Sequence, residues 1–199
     1  YTRPVALIVN GEPPRVVVLT EHPGAEMLRR RLGHDEVDWM RVKVEPGSED
    51  RLRRDQLLRL IRDAPAPLTE GWASRHFDLD LLTSWTIATM VCATGEPFQA
   101  VTFRDRTGGI AGGRWSWILW DMDQSFYARF DHGRDAVGVL FSRRHAWIPA
   151  GLLVQRLLVE DAGFRRRLGE RALAALRDDL TPAFFTDLVE RYRLTAARL

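Results

Sequence analysis

Two short apolar runs, residues 98–104 and 114–121, stand on either side of two glycine pairs, Gly108-Gly109 and Gly112-Gly113. Aromatic and β-branched residues crowd both runs and the glycines punctuate the stretch between them, so the segment reads as two paired strands. The second strand runs directly into Asp121-Met122-Asp123 and then Gln124-Ser125-Phe126. Strand side chains alternate between faces, but a chain usually bends where a strand ends. Two carboxylates at such an end can converge on one divalent cation, and their oxygens suit Mg²⁺ or Mn²⁺. A metal-holding acid directly after a strand is what phosphoryl transfer requires. The plainer alternative for an isolated Asp-x-Asp is a strand end with two solvated aspartates. A calcium loop is excluded by counting. Asp121, Asp123 and Ser125 fit its first three ligand positions, but its glycine position holds Phe126 and its closing glutamate position holds His132.

Lys43 is the second constraint, because all but one of the 29 basic residues are arginine. Such a bias reflects a GC-rich genome, which leaves the sole lysine conspicuous. It lies in Trp39-Met40-Arg41-Val42-Lys43-Val44, a short alternating run that reads as a strand. A compact ammonium suits a phosphate oxygen in a tight site where a broad guanidinium does not fit. A surface lysine kept by chance fits the same observation.

At 199 residues, 45% hydrophobic and 28% charged, the chain is an ordinary globular protein with enough length for one good core or two modest lobes. Its formal charge is only +2. Arg29-Arg30-Arg31 and Arg165-Arg166-Arg167 sit among apolar residues at helical spacing and read as solvated helix faces, so no nucleic-acid partner is expected. Cys92 is the single cysteine, which excludes an intrachain disulfide. No apolar run approaches a membrane span, and no signal peptide is expected within this stretch. The chain opens on Tyr1, one step from a strand, as an excised piece of a longer protein would.

Strands are expected at Val5–Val9 and Val16–Leu19, with Asn10-Gly11 as the turn signal between them and Pro13-Pro14 lengthening it. A helix over 24–33 is closed by Gly33, and Ser48 caps another whose Leu52, Leu57, Leu58, Leu60 and Ile61 mostly share a face. Ala64-Pro65-Ala66-Pro67 is the best linker candidate. Asp78 caps a long apolar helix to about Cys92, and the tail from Pro149 is helical, with Thr181-Pro182 opening the last helix. A sheet-rich first part followed by a helix-rich second part is an α+β pattern.

In their order along the chain, these pieces resemble the spore coat protein H (CotH) kinase family. Arg3-Pro4-Val5 with Asn10-Gly11, Thr20-Glu21, the Leu28-Arg29-Arg30 run to Gly33, Met40 to Lys43, Asp78-Leu79-Asp80 and Trp120 to Phe126 carry the resemblance, followed by Leu157-Leu158 and Phe164-Arg165. It covers nearly the whole chain and lacks the family's part before Arg3. It implies an atypical protein-kinase-like, two-lobed fold, with residues 1–64 as the remainder of the first lobe and 65–199 as the second. It further implies transfer of phosphate from ATP to proteins with Mg²⁺ or Mn²⁺, in a bacterial, cell-surface or spore-associated setting.

By resemblance, Lys43 meets the nucleotide phosphates, Glu21 takes a supporting role at the nucleotide, and Asp121 holds the metal, with Asp123 beside it. The family's Asp-Trp-Pro-like loop and following Asn are replaced here by Gly95-Glu96-Pro97-Phe98-Gln99. Glu96 then stands as the acceptor-orienting acid and Gln99 as a further metal ligand, each one methylene longer than the family residue, although an ungapped match back from Arg104 puts Thr94 at the Asp position and Gln99 at the Asn position. Displacement of about an ångström can cost on the order of a hundredfold in rate. An active kinase and a silent, kinase-like binding or scaffold domain therefore both follow from the sequence. A metal-dependent hydrolase has only the acid pair behind it, because His22, His34, His76, His132 and His145 are dispersed at no ligand spacing.

Overall fold

The computed structural model describes residues 2–11, 15–41, 46–92, 100–120, 138 and 147–198. They divide into two compact units, one of Tyr1–His22 with Gly169–Leu199 and the other of Pro23–Leu168. Helices and small antiparallel sheets make the protein α+β, as the sequence implied.

The larger unit is built on a three-stranded sheet of β3 (Val37–Arg41), β4 (Val101–Asp105) and β5 (Ser116–Ile118), with β4 in the centre. Both pairings are antiparallel, β4–β5 as a hairpin and β3–β4 across α2 (Glu49–Arg62), α3 (Glu70–Ala73) and α4 (Leu79–Cys92). β3, from the first 64 residues, thus shares a sheet with strands from beyond them. α1 (Ala25–Leu32) and α2 pack on β3, α4 packs on β5, and α5 (Pro149–Glu160) packs on α2. α6 (Ala162–Ala174) follows Asp161.

Local signals set these boundaries. Gly33 closes α1 at φ 78°, a left-handed conformation glycine adopts without strain. Ser48 Oγ accepts the Arg51 amide at 3.3 Å and starts α2. Asp78 Oδ1 accepts the Leu81 amide at 3.0 Å and starts α4. Leu57, Ile61, Phe77, Leu82, Trp117 and Leu153 fill the core, with the Phe77 ring stacked on Trp117 at 6.0 Å between centroids. Each such side chain contributes about 1.5–3 kcal/mol on burial. Leu52 departs from its expected helix face and is 58% exposed, because it lies in the first turn of α2, before the buried stripe begins.

The Ala64–Pro67 stretch is fastened down. The Arg156 guanidinium on α5 donates to the carbonyls of Ile61 (2.5 Å), Ala64 (3.4 Å) and Pro65 (3.3 Å), and to both carboxylate oxygens of Glu160. Glu160 in turn accepts the Leu68 amide at 2.5 Å, and Asp161 accepts the Glu70 amide at 2.8 Å. A planar fork serving several carbonyls is the kind of task arginine does and lysine does not.

The smaller unit pairs β1 (Thr2–Leu7) with β2 (Arg15–Thr20) in antiparallel register from Thr2↔Thr20 to Leu7↔Arg15. β1 begins earlier than the expected Val5 and ends before Ile8, because Asn10 and Gly11 both take positive φ (52° and 76°) and the chain leaves the strand ahead of them. α7 (Pro182–Ala196) lies against β1, and Thr181 Oγ1 caps it by accepting the Phe184 amide at 3.2 Å. No described side chain of this unit is buried. Val18, Leu19, Leu173, Phe184 and Val189 are all exposed.

Candidate functional site

The three-stranded sheet has two unlike ends. At one, Arg41, Val101 and Ile118 form a row across β3, β4 and β5. At the other, Val37 pairs with Asp105, and the hairpin loop 106–115 begins.

That loop end is clamped by Asp105, which is 2% exposed. Its Oδ1 accepts the Thr107 amide (2.9 Å) and the Thr107 hydroxyl (2.6 Å), and its Oδ2 accepts the Ile110 amide (2.8 Å). His34 Nε2 stands 3.4 Å from the same Oδ1, while His34 Nδ1 accepts the Glu36 amide at 3.2 Å. An Nδ1 that accepts leaves the proton on Nε2, aimed at the carboxylate. The Thr107 hydroxyl holds the Asp105 carboxyl below its ordinary range, helped by the Ile110 and Thr107 amides and by His34, against the opposing effect of burial. The loop is tight around it: a Cβ on Gly109 would stand 3.0 Å from Asp105 Oδ2, and Gly113 takes φ 74° with the Asp105 carbonyl 3.4 Å from its would-be Cβ. Sequence reasoning missed Asp105. The signal was available, because Asp-Arg-Thr-Gly-Gly places an aspartate two residues before a hydroxyl and a glycine pair, the pattern of an Asx turn.

The opposite end is the one the candidate residues flank in sequence. Lys43 follows Arg41 by two residues, Gln99 precedes Val101 by two, and Asp121 follows Ile118 by three. Lys43, Glu96, Gln99, Asp121 and Asp123 themselves lie outside the described residues. Glu21 is described: it follows β2 in the smaller unit and is half-buried. Among the described residues, no group of three or more His, Cys, Asp or Glu side chains could hold a metal. Nor is any helix among them long and apolar enough to cross a membrane.

The strand leading to Asp121 is firmly seated. Trp115 donates its amide to the His76 carbonyl (2.9 Å), and its carbonyl accepts the Asp78 amide (2.8 Å), which ties the start of β5 to the entry of α4. The Arg104 guanidinium stacks over the Trp115 ring at 4.9 Å and binds Asp38 on β3 through Nε (3.1 Å) and Nη2 (2.5 Å). Ser116 Oγ and Trp117 Nε1 are buried with no hydrogen-bond partner among the described residues, as is Thr89 Oγ1 on α4. An unpaired buried group costs about 1–3 kcal/mol, so this strand carries polar atoms that packing alone does not explain.

The described part of the larger unit is an α+β arrangement built on a short antiparallel sheet. A family model described as CotH kinase protein matches residues 1–198, and the chain belongs to that family. A kinase-like function follows at the level of the family. No curated protein and no solved structure matches the chain.

Proposed function

We propose that the chain transfers the terminal phosphoryl group of ATP to protein hydroxyls with the help of Mg²⁺ or Mn²⁺. The observation that carries this reading is the common row Arg41–Val101–Ile118. Antiparallel pairing sends the end of β3, the start of β4 and the end of β5 to one edge, so Lys43, Gln99 and Asp121 are each two or three residues in sequence from the same line, and Glu96 and Asp123 five. Neighbouring strands are about 4.8 Å apart, which makes that edge only about 10 Å wide. A triphosphate with its metal is of that order.

The donor set fits a hard cation, since Asp121, Asp123 and Gln99 offer oxygens alone. When bound, the metal neutralises charge on the transferring phosphoryl group. Lys43 holds a phosphate oxygen as a point charge, and Glu96 orients the acceptor hydroxyl and takes its proton. Glu21 supports the nucleotide. The division of labour between residues 1–64, with the phosphate cation, and 65–199, with the metal segment, belongs to the same proposal, as does a bacterial surface or spore setting.

Calorimetry of ATP binding with and without Mg²⁺ or Mn²⁺, beside a phosphotransfer assay, tests it. Asp121→Asn is expected to keep the fold and abolish metal-dependent nucleotide binding, and unchanged affinity removes Asp121 from the site. Glu96→Gln is expected to lower turnover far more than nucleotide affinity. The longer Glu96 and Gln99 side chains favour a second reading, a silent scaffold domain. Intact ATP binding with no transfer in any variant selects it.

A further inference from the structure

We propose that Asp105 is a positioning residue: from the loop end of the hairpin it fixes the register of β5, the strand that leads in sequence to the segment proposed above to bind the metal. The inference rests on the function proposed above for its catalytic consequence, but not for its structural part.

Asp105 sits on the central strand and bonds to the connections of both neighbours. Thr107 and Ile110 belong to the loop that leads to β5, and His34 belongs to the turn that leads to β3. Arg106 N donates to the Glu36 carbonyl at 2.9 Å and closes the β3 side of the same clamp. β5 is only three residues long, and its pairing with β4 runs over Val101↔Ile118, Thr102↔Trp117 and Phe103↔Ser116. So short a ladder specifies its own register weakly: the Trp115 bonds to His76 and Asp78 seat the start of β5 against the entry of α4, and the Asp105 clamp sets it against β4. A slip of one residue turns every side chain of a strand to the other face. Trp117 would then leave the Phe77 ring, and whatever follows β5 would be delivered one residue out of place. Misplacement on the scale of an ångström already costs on the order of a hundredfold in rate. The clamp can hold this register because both carboxylate oxygens accept: an amide at Asp105 would turn its NH₂ on either the Ile110 N–H or the Thr107 N–H.

The test compares Asp105→Asn with Glu160→Gln, which weakens the Arg156 fastening away from the hairpin. Both are expected to lower the melting temperature. Only Asp105→Asn is expected to weaken Mn²⁺·ATP affinity about tenfold or more at a temperature where it is fully folded. Thr107→Val, at an exposed position, keeps the fold and is expected to show a smaller loss in the same direction. Independently of nucleotide, cross-strand NMR contacts between Thr102 and Trp117 should fade or multiply in Asp105→Asn and stay single in Glu160→Gln. Unchanged Thr102–Trp117 pairing in folded Asp105→Asn, or equal loss of Mn²⁺·ATP affinity in both variants, overturns the positioning role. A wild-type chain that binds no Mn²⁺·ATP overturns the kinase reading instead, and the NMR contacts still decide whether Asp105 sets the register.

Discussion

The two units of the chain are held by different means. In Pro23–Leu168, side chains such as Ile61, Phe77, Leu82 and Leu157 are fully buried, and the caps and ion pairs refine what packing already determines. In Tyr1–His22 with Gly169–Leu199, no described side chain is buried, and the order comes from a hairpin turn, a Thr181 cap and surface pairs such as Arg193–Glu190 and Arg191–Asp187. Exposed pairs of this sort are worth about 0–1 kcal/mol each. The contrast shows that good local signals can specify elements without supplying the burial that stabilises them.

Substituting one aromatic in each unit tests this contrast most severely. Phe77→Ala removes a ring from the core and should cost about 3–5 kcal/mol in chemical denaturation. Phe184→Ala removes an exposed ring and should cost under about 0.5 kcal/mol. Comparable losses at the two sites would abolish the distinction. Next in size, Arg156→Ala deprives three carbonyls and Glu160 of their donor, with an expected cost of about 2–3 kcal/mol. Proteolysis within Ala64–Pro67 should accelerate in that variant, whereas an unaltered cleavage rate would mean the stretch is held by something else.

Acid titration sharpens the comparison further. Asp105 and Glu160, both in the larger unit, have carboxyls held below their ordinary range, by the Thr107 hydroxyl and by the Arg156 guanidinium respectively. The unfolded chain therefore takes up protons first as pH falls. Their contribution is complete above about pH 4.5 and is lost as pH drops through the lower folded values. The melting temperature should fall steeply below about pH 4 in the wild type and less steeply in Asp105→Asn, and parallel curves would refute the assignment. The smallest effect is expected at Thr181→Ala, where loss of the cap costs about 1 kcal/mol. Amide exchange should speed up in α7 while β4 stays protected, since the larger unit does not depend on that cap.

Helices were the most legible part of the fold, because Ser48, Asp78, Thr181 and Gly33 are side-chain or backbone signals that act within one turn. Strand limits were less so: β1 is displaced toward the N-terminus and β4 and β5 are shorter than their apolar runs, since pairing partners set strand ends and are remote in sequence. The crossing of β3 into the sheet of β4 and β5 had no local signature at all. Of the candidate site, residue chemistry pointed to Lys43 and Asp121, but only the register connects their flanking strands. Asp105 was passed over because a turn aspartate looks like any other until its four partners are seen.

The order in which the sheet's strands are synthesised has a consequence for how the protein is made. β4 and β5 are neighbours in the chain and can pair as soon as both exist, but Val37 must wait for Asp105, 68 residues later. At about 5–20 residues per second, β3 emerges from the ribosome roughly 3–14 s before its partner. During that interval α1 and α2 are already available to shield it, and a chain stalled or truncated before residue 101 would display β3 with its pairing edge open.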